Sequence, residues 1–249
     1  MKLKMTLVAV TLACSTSWAG DLTFTAKTTT LGKTKSLSTT YMTSNWSRTN
    51  SPGLGMDVLT DYQKGITYVI NHKERTIRFT KLADLAGFAA FVASHSPKSK
   101  QMDAMNARMN DMYGDPSIFK VENTGKEIVM GRSCNKTRIT SGIVVWEYSM
   151  DPTLRSPISP AATLSVAKAG YGGLAVHPKA AKIMNNVLEA TSRLTGFALK
   201  TRTSGFGGET DMEVTSVSQG PIAAGTFDLP KGYAVKDLIA ESEKALTAR

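Results

Sequence analysis

From Asp21 to Asn50 the chain is rich in Thr and Ser, and Leu22, Phe24 and Ala26 alternate with threonines before Tyr41 and Thr43 resume the pattern. A period of two marks strands, and Gly32 sits where a turn would join two of them. Further on, Ile66, Tyr68 and Ile70 share one face of a strand and Ile77 and Phe79 one face of the next, with polar breakers at 62–65 and 71–75. This predicts an antiparallel meander. The period then lengthens to 3.6. Leu82, Leu85, Phe88, Ala89 and Val92 fall on one helical face, and beyond residues 94–100 a second helix carries a stripe of Met102, Met105, Met109 and Met112.

Strands resume over 117–122, 127–139 and 143–150. In the last of these Val144, Trp146, Tyr148 and Met150 point one way and Glu147 and Ser149 the other. The Pro, Ser, Ala and Gly of 152–173 predict a loop or short helical excursion. A helix follows from Pro178 to Leu194, with proline at its first position, Gly196 to end it, and Ala180, Ile183, Val187, Thr191 and Leu194 as its buried stripe. A hairpin over 197–203 and 210–218 and a closing helix with Val235, Leu238, Ile239 and Leu246 inward complete the chain. Strands in runs, with helices segregated from them and no βαβ alternation, predict an α+β fold: a curved, mostly antiparallel sheet with helices capping its concave face.

The first 19 residues change the picture of where this fold works. Lys2 and Lys4 precede an apolar run from Met5 to Ala13, and Ser17 and Ala19 suit a cut before Gly20, which predicts a signal peptide and a periplasmic or secreted domain over 20–249. A competing reading makes Leu12-Ala13-Cys14 a lipoprotein box with Cys14 as anchor. The formal charge of +10 falls to +8 once Lys2 and Lys4 are removed. Lys and Arg are scattered among acids, so this excess fits solubility and loose peripheral contact with an anionic envelope, and nucleic acid is not an expected partner. Asn45-Trp46-Ser47 and Asn135-Lys136-Thr137 match the glycosylation acceptor by chance.

Three chemistries have candidate residues in this sequence. Cys134 has no disulfide partner in the exported chain, and none of His72, His95 and His177 is brought beside it by the sequence. A buried structural thiol is therefore favoured over a hydrolase nucleophile. The methionine stripe offers soft ligands for Cu(I), which makes a periplasmic copper protein an alternative, although such residues equally form adaptable apolar surface. Nucleophile-elbow, zinc-protease, P-loop and EF-hand motifs are missing, Asp57 and Asp61 are spaced too far apart along a strand for a glycosidase pair, and no cofactor is implied.

GKEIVMGRSC before the Trp146 strand, the hairpin TYVINHKERTIRFT and the ending GTFDLPKGYAVKDL together resemble exported bacterial domains related to the periplasmic lipoprotein carrier and its outer-membrane receptor (LolA/LolB-like). The positions that carry the resemblance are Gly131, Cys134, Trp146, Phe227, Pro230, Gly232 and Tyr233. It implies an open half-barrel whose apolar side holds acyl chains or other hydrophobic ligands, without catalytic residues. The expected function is non-enzymatic binding of a hydrophobic small molecule, lipid or lipoprotein acyl chain. Phe88, Phe91, Met105, Met109, Trp146 and Tyr148, each apolar and on a predicted inward face, are the expected lining.

Overall fold

The computed structural model describes residues 20–95, 104, 107, 108, 110–171, 177–205 and 208–247. The predicted leader, Cys14, Met102, Met105 and Met109 lie outside them. Among the described residues no helix is long and apolar enough to cross a membrane.

The first hairpin joins β1 (Leu22–Thr30) to β2 (Lys33–Met42) through Leu31 and Gly32, both at positive φ. That is the two-residue turn whose twist matches a β-hairpin. β3 (Trp46–Ser51), β4 (Met56–Asp61), β5 (Ile66–Asn71) and β6 (Thr76–Lys81) follow as the meander, each antiparallel to the last. A single 3₁₀ turn at Leu82–Asp84 leads into α1 (Leu85–His95). Of the methionine helix, residues 104, 107, 108 and 110–112 are described and helical, with Met112 exposed.

β7 (Phe119–Val129), β8 (Arg132–Ser141) and β9 (Val144–Asp151) form a second meander. Here the chain departs from the sequence reading. Residues 127–139 are not one strand, because Met130 and Gly131, both at positive φ, make a two-residue hairpin turn between Val129 and Arg132. The apparent break at Asn123-Thr124-Gly125 is instead a bulge inside β7, closed by the Gly125 amide donating to Asn123 Oδ1 at 2.9 Å.

Residues 152–173 contain α2 (Pro160–Gly170), capped by Ser159, whose hydroxyl accepts from the Ala162 amide, with proline at the first helical position. α3 (Pro178–Thr191) buries Ala180, Ile183, Val187 and Thr191 of the predicted stripe and ends at Ser192, so that Leu194 lies beyond it and is half-buried. Gly196 therefore does not stop the helix. At φ +101 it lets the chain pass so close to Asp151 that an added Cβ would lie 2.3 Å from the Asp151 carbonyl. β10 (Phe197–Gly205) and β11 (Gly208–Gln219) are the expected hairpin. The C-terminus differs: β12 (Ala234–Asp237) adds in parallel to β6 before α4 (Leu238–Thr247) begins, capped by Asp237 Oδ1. Val235 is thus a strand residue and exposed, and α4 buries no residue fully.

All twelve strands form one open sheet, in the order β12-β6-β5-β4-β3-β2-β1-β11-β10-β9-β8-β7. Among the described strands only the β12–β6 pair is parallel. Bulges in β7, β10 and β11 bend it, giving the curved, mostly antiparallel α+β sheet that the sequence pattern predicts. Phe197, Ala198 and Leu199 are consecutive and all 0% exposed, so both faces of β10 are covered at its start. Phe197 and Leu199 join a cluster with Leu22, Phe24, Leu154, Ile158 and Val214, whereas Ala198 joins Tyr148, Met150 and Val187 beneath α3. The first meander has its own core of Leu59, Ile70 and Ile77, on which Trp46, Phe227 and Tyr233 pack.

Candidate functional site

A cleft of about 540 Å³ opens between α2, the β4–β5 turn and the segment entering α1. Its α2 wall is Ala162, Ser165, Val166 and Ala169, spaced i, i+3, i+4, i+7 and so on one helical face. The opposite wall is Tyr62, Lys64 and Gly65 of the turn with Lys81, Leu82 and Ala83. Local bonds hold this wall. Gly65 stands at positive φ, and its carbonyl accepts from the Leu82 amide at 2.8 Å, tying the turn to the helix entry. Tyr62 reaches back to Ser47, hydroxyl to hydroxyl at 3.2 Å, and burial pushes its phenol up against the opposing effect of that bond. The phenol is neutral at physiological pH.

The charge of the cleft is positive. Lys64 Nζ lies 3.8 Å from the buried carboxylate of Asp61 but its side chain is 68% exposed, and Lys81 pairs with no carboxylate among the described residues. Asp61 itself is occupied by the turn, accepting from the Lys64 amide at 2.9 Å. Small apolar walls beside two ammonium groups suit an amphiphile with an anionic end.

The residues expected from sequence to line a ligand site are distributed otherwise. Tyr148 is buried under α3 with Thr191, and burial pushes its hydroxyl up to about 12. Trp146 packs half-buried on the same cluster. Phe88 and Phe91 lie half-buried on α1, which packs against α2, and the Phe91 ring stacks on His95 at 4.0 Å. Met105 and Met109 lie outside the described residues. The sequence reading missed the cleft residues Tyr62, Lys64, Lys81, Leu82, Ala162 and Val166. The legible signal was the Ser159-Pro160 cap followed by small residues at helical spacing.

Cys134 is 0% exposed. No bulge turns it inward, because β8 pairs regularly with β9. Cys134 keeps strict alternation and faces opposite to Ile139, and it is buried because Val129, Leu154 and Phe197 cover its side of the sheet. Burial, and next the Asp151 carboxylate, push the thiol up; it donates to the Arg132 carbonyl at 3.7 Å. His72, His95 and His177 are engaged elsewhere, with Asp57, Phe91 and Tyr113 respectively. Carboxylates and an apolar wall disfavour a thiolate, so the hydrolase alternative has no support here.

The segment that carried the family resemblance at the C-terminus is a strap over the first meander. Arg48 Nη1 donates to the carbonyls of Thr226 and Asp228 at 2.9 and 3.0 Å, while its other nitrogen pairs with Asp57 at 2.6 Å. Phe227 lies 6.2 Å from the Trp46 ring, and Gly232 at positive φ brings Tyr233 under the guanidinium of Arg75.

No curated protein matches the sequence. Among solved structures, PNGF-II is similar over 93% of this chain and 33% of its own, at 10% identity and a TM-score of 0.43. MucB, in its complex with MucA from Pseudomonas aeruginosa, is similar over 85% of this chain and 56% of its own, at 12% identity and 0.42. A LolA superfamily protein from Nitrosomonas europaea is similar over 89% and 99%, at 7% identity and 0.35. The chain thus spans about a third of the length of PNGF-II and little more than half of MucB. By its match over residues 21–233, the chain belongs to the family described as a domain of unknown function (DUF4412).

Proposed function

We propose that this protein is a non-enzymatic, exported binder of an amphiphile that has an apolar chain and an anionic end. The observation that carries the reading is the cleft between α2 and the β4–β5 turn, lined by Tyr62, Leu82, Ala83, Ala162, Val166 and Ala169 together with Lys64 and Lys81. Its volume lies within the range of small-molecule sites, roughly 300–1,000 Å³. The apolar chain lies along the small residues of α2, where little side-chain ordering opposes it, and the anionic end meets the two lysines. Phe88 and Phe91 on the neighbouring α1 extend the apolar surface. The fold supports the reading too, since an open sheet with helices on it leaves helix–sheet seams that can admit a chain. Native mass spectrometry of gently purified protein tests it. A fatty acid or phospholipid adduct is expected, and its absence after incubation with either lipid would count against the proposal.

A further inference from the structure

The two ends of the sheet are finished differently. β12 has four residues, two of them charged, and runs into α4, which packs on α1 and β6. At the other end β7 has 11 residues and pairs only with β8, so one side of its backbone has no strand partner among the described residues. Open edges template pairing with another chain and are usually blunted by bulges or charge. Both halves carry charge, Lys120 and Glu122 in the first and Lys126 and Glu127 in the second, but only the second is interrupted by a bulge, at Thr124. The first half is regular, and in it Phe119 and Val121 are 45% and 48% exposed. They stand opposite Ser141 and Ile139 of β8, on the face where Ile139 packs with Trp146 and Val187. The apolar surface beneath α3 therefore runs out onto a bare edge. Lys120 and Glu122 occupy the other face, 2.7 Å apart.

We infer that this half-strand is a homodimer interface, with β7 pairing antiparallel to β7 of a second copy about a two-fold axis at Val121. The occupant and register follow from charge. A two-fold pairing that keeps each face continuous must place a residue on the axis. An axis at Lys120 sets lysine against lysine, and one at Glu122 sets glutamate against glutamate. An axis at Val121 sets Lys120 of each copy against Glu122 of the other, Val121 against Val121 and Phe119 against Asn123. The self-complementary charges thus select a second copy of this chain and one register. Phe119 and Val121 of the two copies form a shared apolar strip continuous with the two cores. The Thr124 bulge limits the ladder, so the contact is small and the association weak.

Sedimentation velocity of the protein up to about 200 µM, where small interfaces associate, tests this. A reversible monomer–dimer equilibrium is expected. Lys120→Glu and Glu122→Lys should each weaken it at least about tenfold by opposing like charges, and the double exchange should return it to within about threefold of the wild type. Val121→Cys should give a disulfide-linked dimer under mild oxidation, since the native thiol of Cys134 is buried. A monomer throughout the range, a dimer indifferent to either single exchange, failure of the double exchange to restore it, or no cross-linking of Val121→Cys would overturn the inference.

Discussion

The hydroxyl of Tyr233 lies 3.1 Å from Nδ1 of His72, and the other ring nitrogen of His72 lies 3.0 Å from Oδ2 of Asp57. One imidazole thus fastens the C-terminal strap to the first meander through a carboxylate that Arg48 also holds. Arg48→Ala leaves the buried Asp57 carboxylate without its guanidinium and frees two strap carbonyls, so it should cost about 3 kcal/mol, the scale of breaking a buried pair. Tyr233→Phe removes one hydrogen bond and should cost about 1 kcal/mol. Urea unfolding monitored by tryptophan fluorescence checks both, and equal effects would contradict the ranking.

Cys134 should be chemically silent in the native protein. Its burial and the neighbouring Asp151 carboxylate keep the thiol protonated, so a thiol reagent should react only at denaturant concentrations that unfold the chain. Cys134→Ala should fold, with a loss of about 1 kcal/mol for the small cavity. Rapid labelling in native buffer would contradict this placement.

Asp151 links stability to acid. Against burial, which pushes it up, the Thr153 hydroxyl and amide and Arg132 hold its carboxyl below its ordinary value of 3.8. The unfolded chain therefore takes up the proton first as pH falls. The stabilisation is complete above the unfolded value and is lost as pH drops through the folded one. Thermal unfolding of the wild type should show a steeper fall in midpoint below about pH 5 than Asp151→Asn, which lacks this proton linkage.

Tyr148 makes the opposite link at the alkaline end. Its hydroxyl, pushed up to about 12 by burial, stays neutral in the folded chain while the unfolded phenol ionises near 10. Stability from this group is full below pH 10 and is lost as pH rises toward 12. Ultraviolet difference titration should show Tyr148→Phe losing one late-ionising phenol, with less alkaline destabilisation than the wild type.

How far the sequence foretold this molecule depends on the range of the forces. The β4–β5–β6 meander and the alternation from Val144 to Met150 were legible because polar breakers and a period of two are local signals. β3 was not, since Trp46–Ser51 is mostly polar and is held by pairing on both sides. Asn123-Thr124-Gly125 falls in the gap between two predicted strands, and only pairing with β8 makes it a bulge, while the true turn places Met130 at an unfavourable positive φ. β12 pairs in parallel with a strand far earlier in the chain, which no local pattern reports. The cleft is assembled from three separated segments of ordinary residues, of which only the capped, small-residue helix α2 carries a local signal. Aromatic residues carry a stronger local signal, yet Tyr148 packs in the core.

The amphiphile-binding account is tested most directly by titrating a fluorescent fatty acid into the wild type and into Val166→Glu. Val166 lines the α2 wall and is half-buried, so the substitution fills the cleft with bulk and charge without opening a core. The account predicts saturable binding to the wild type and at least about tenfold weaker binding to the variant, equivalent to about 1.4 kcal/mol, with an unchanged unfolding midpoint. Equal affinity of the two proteins, or no saturable binding by the wild type, would contradict it.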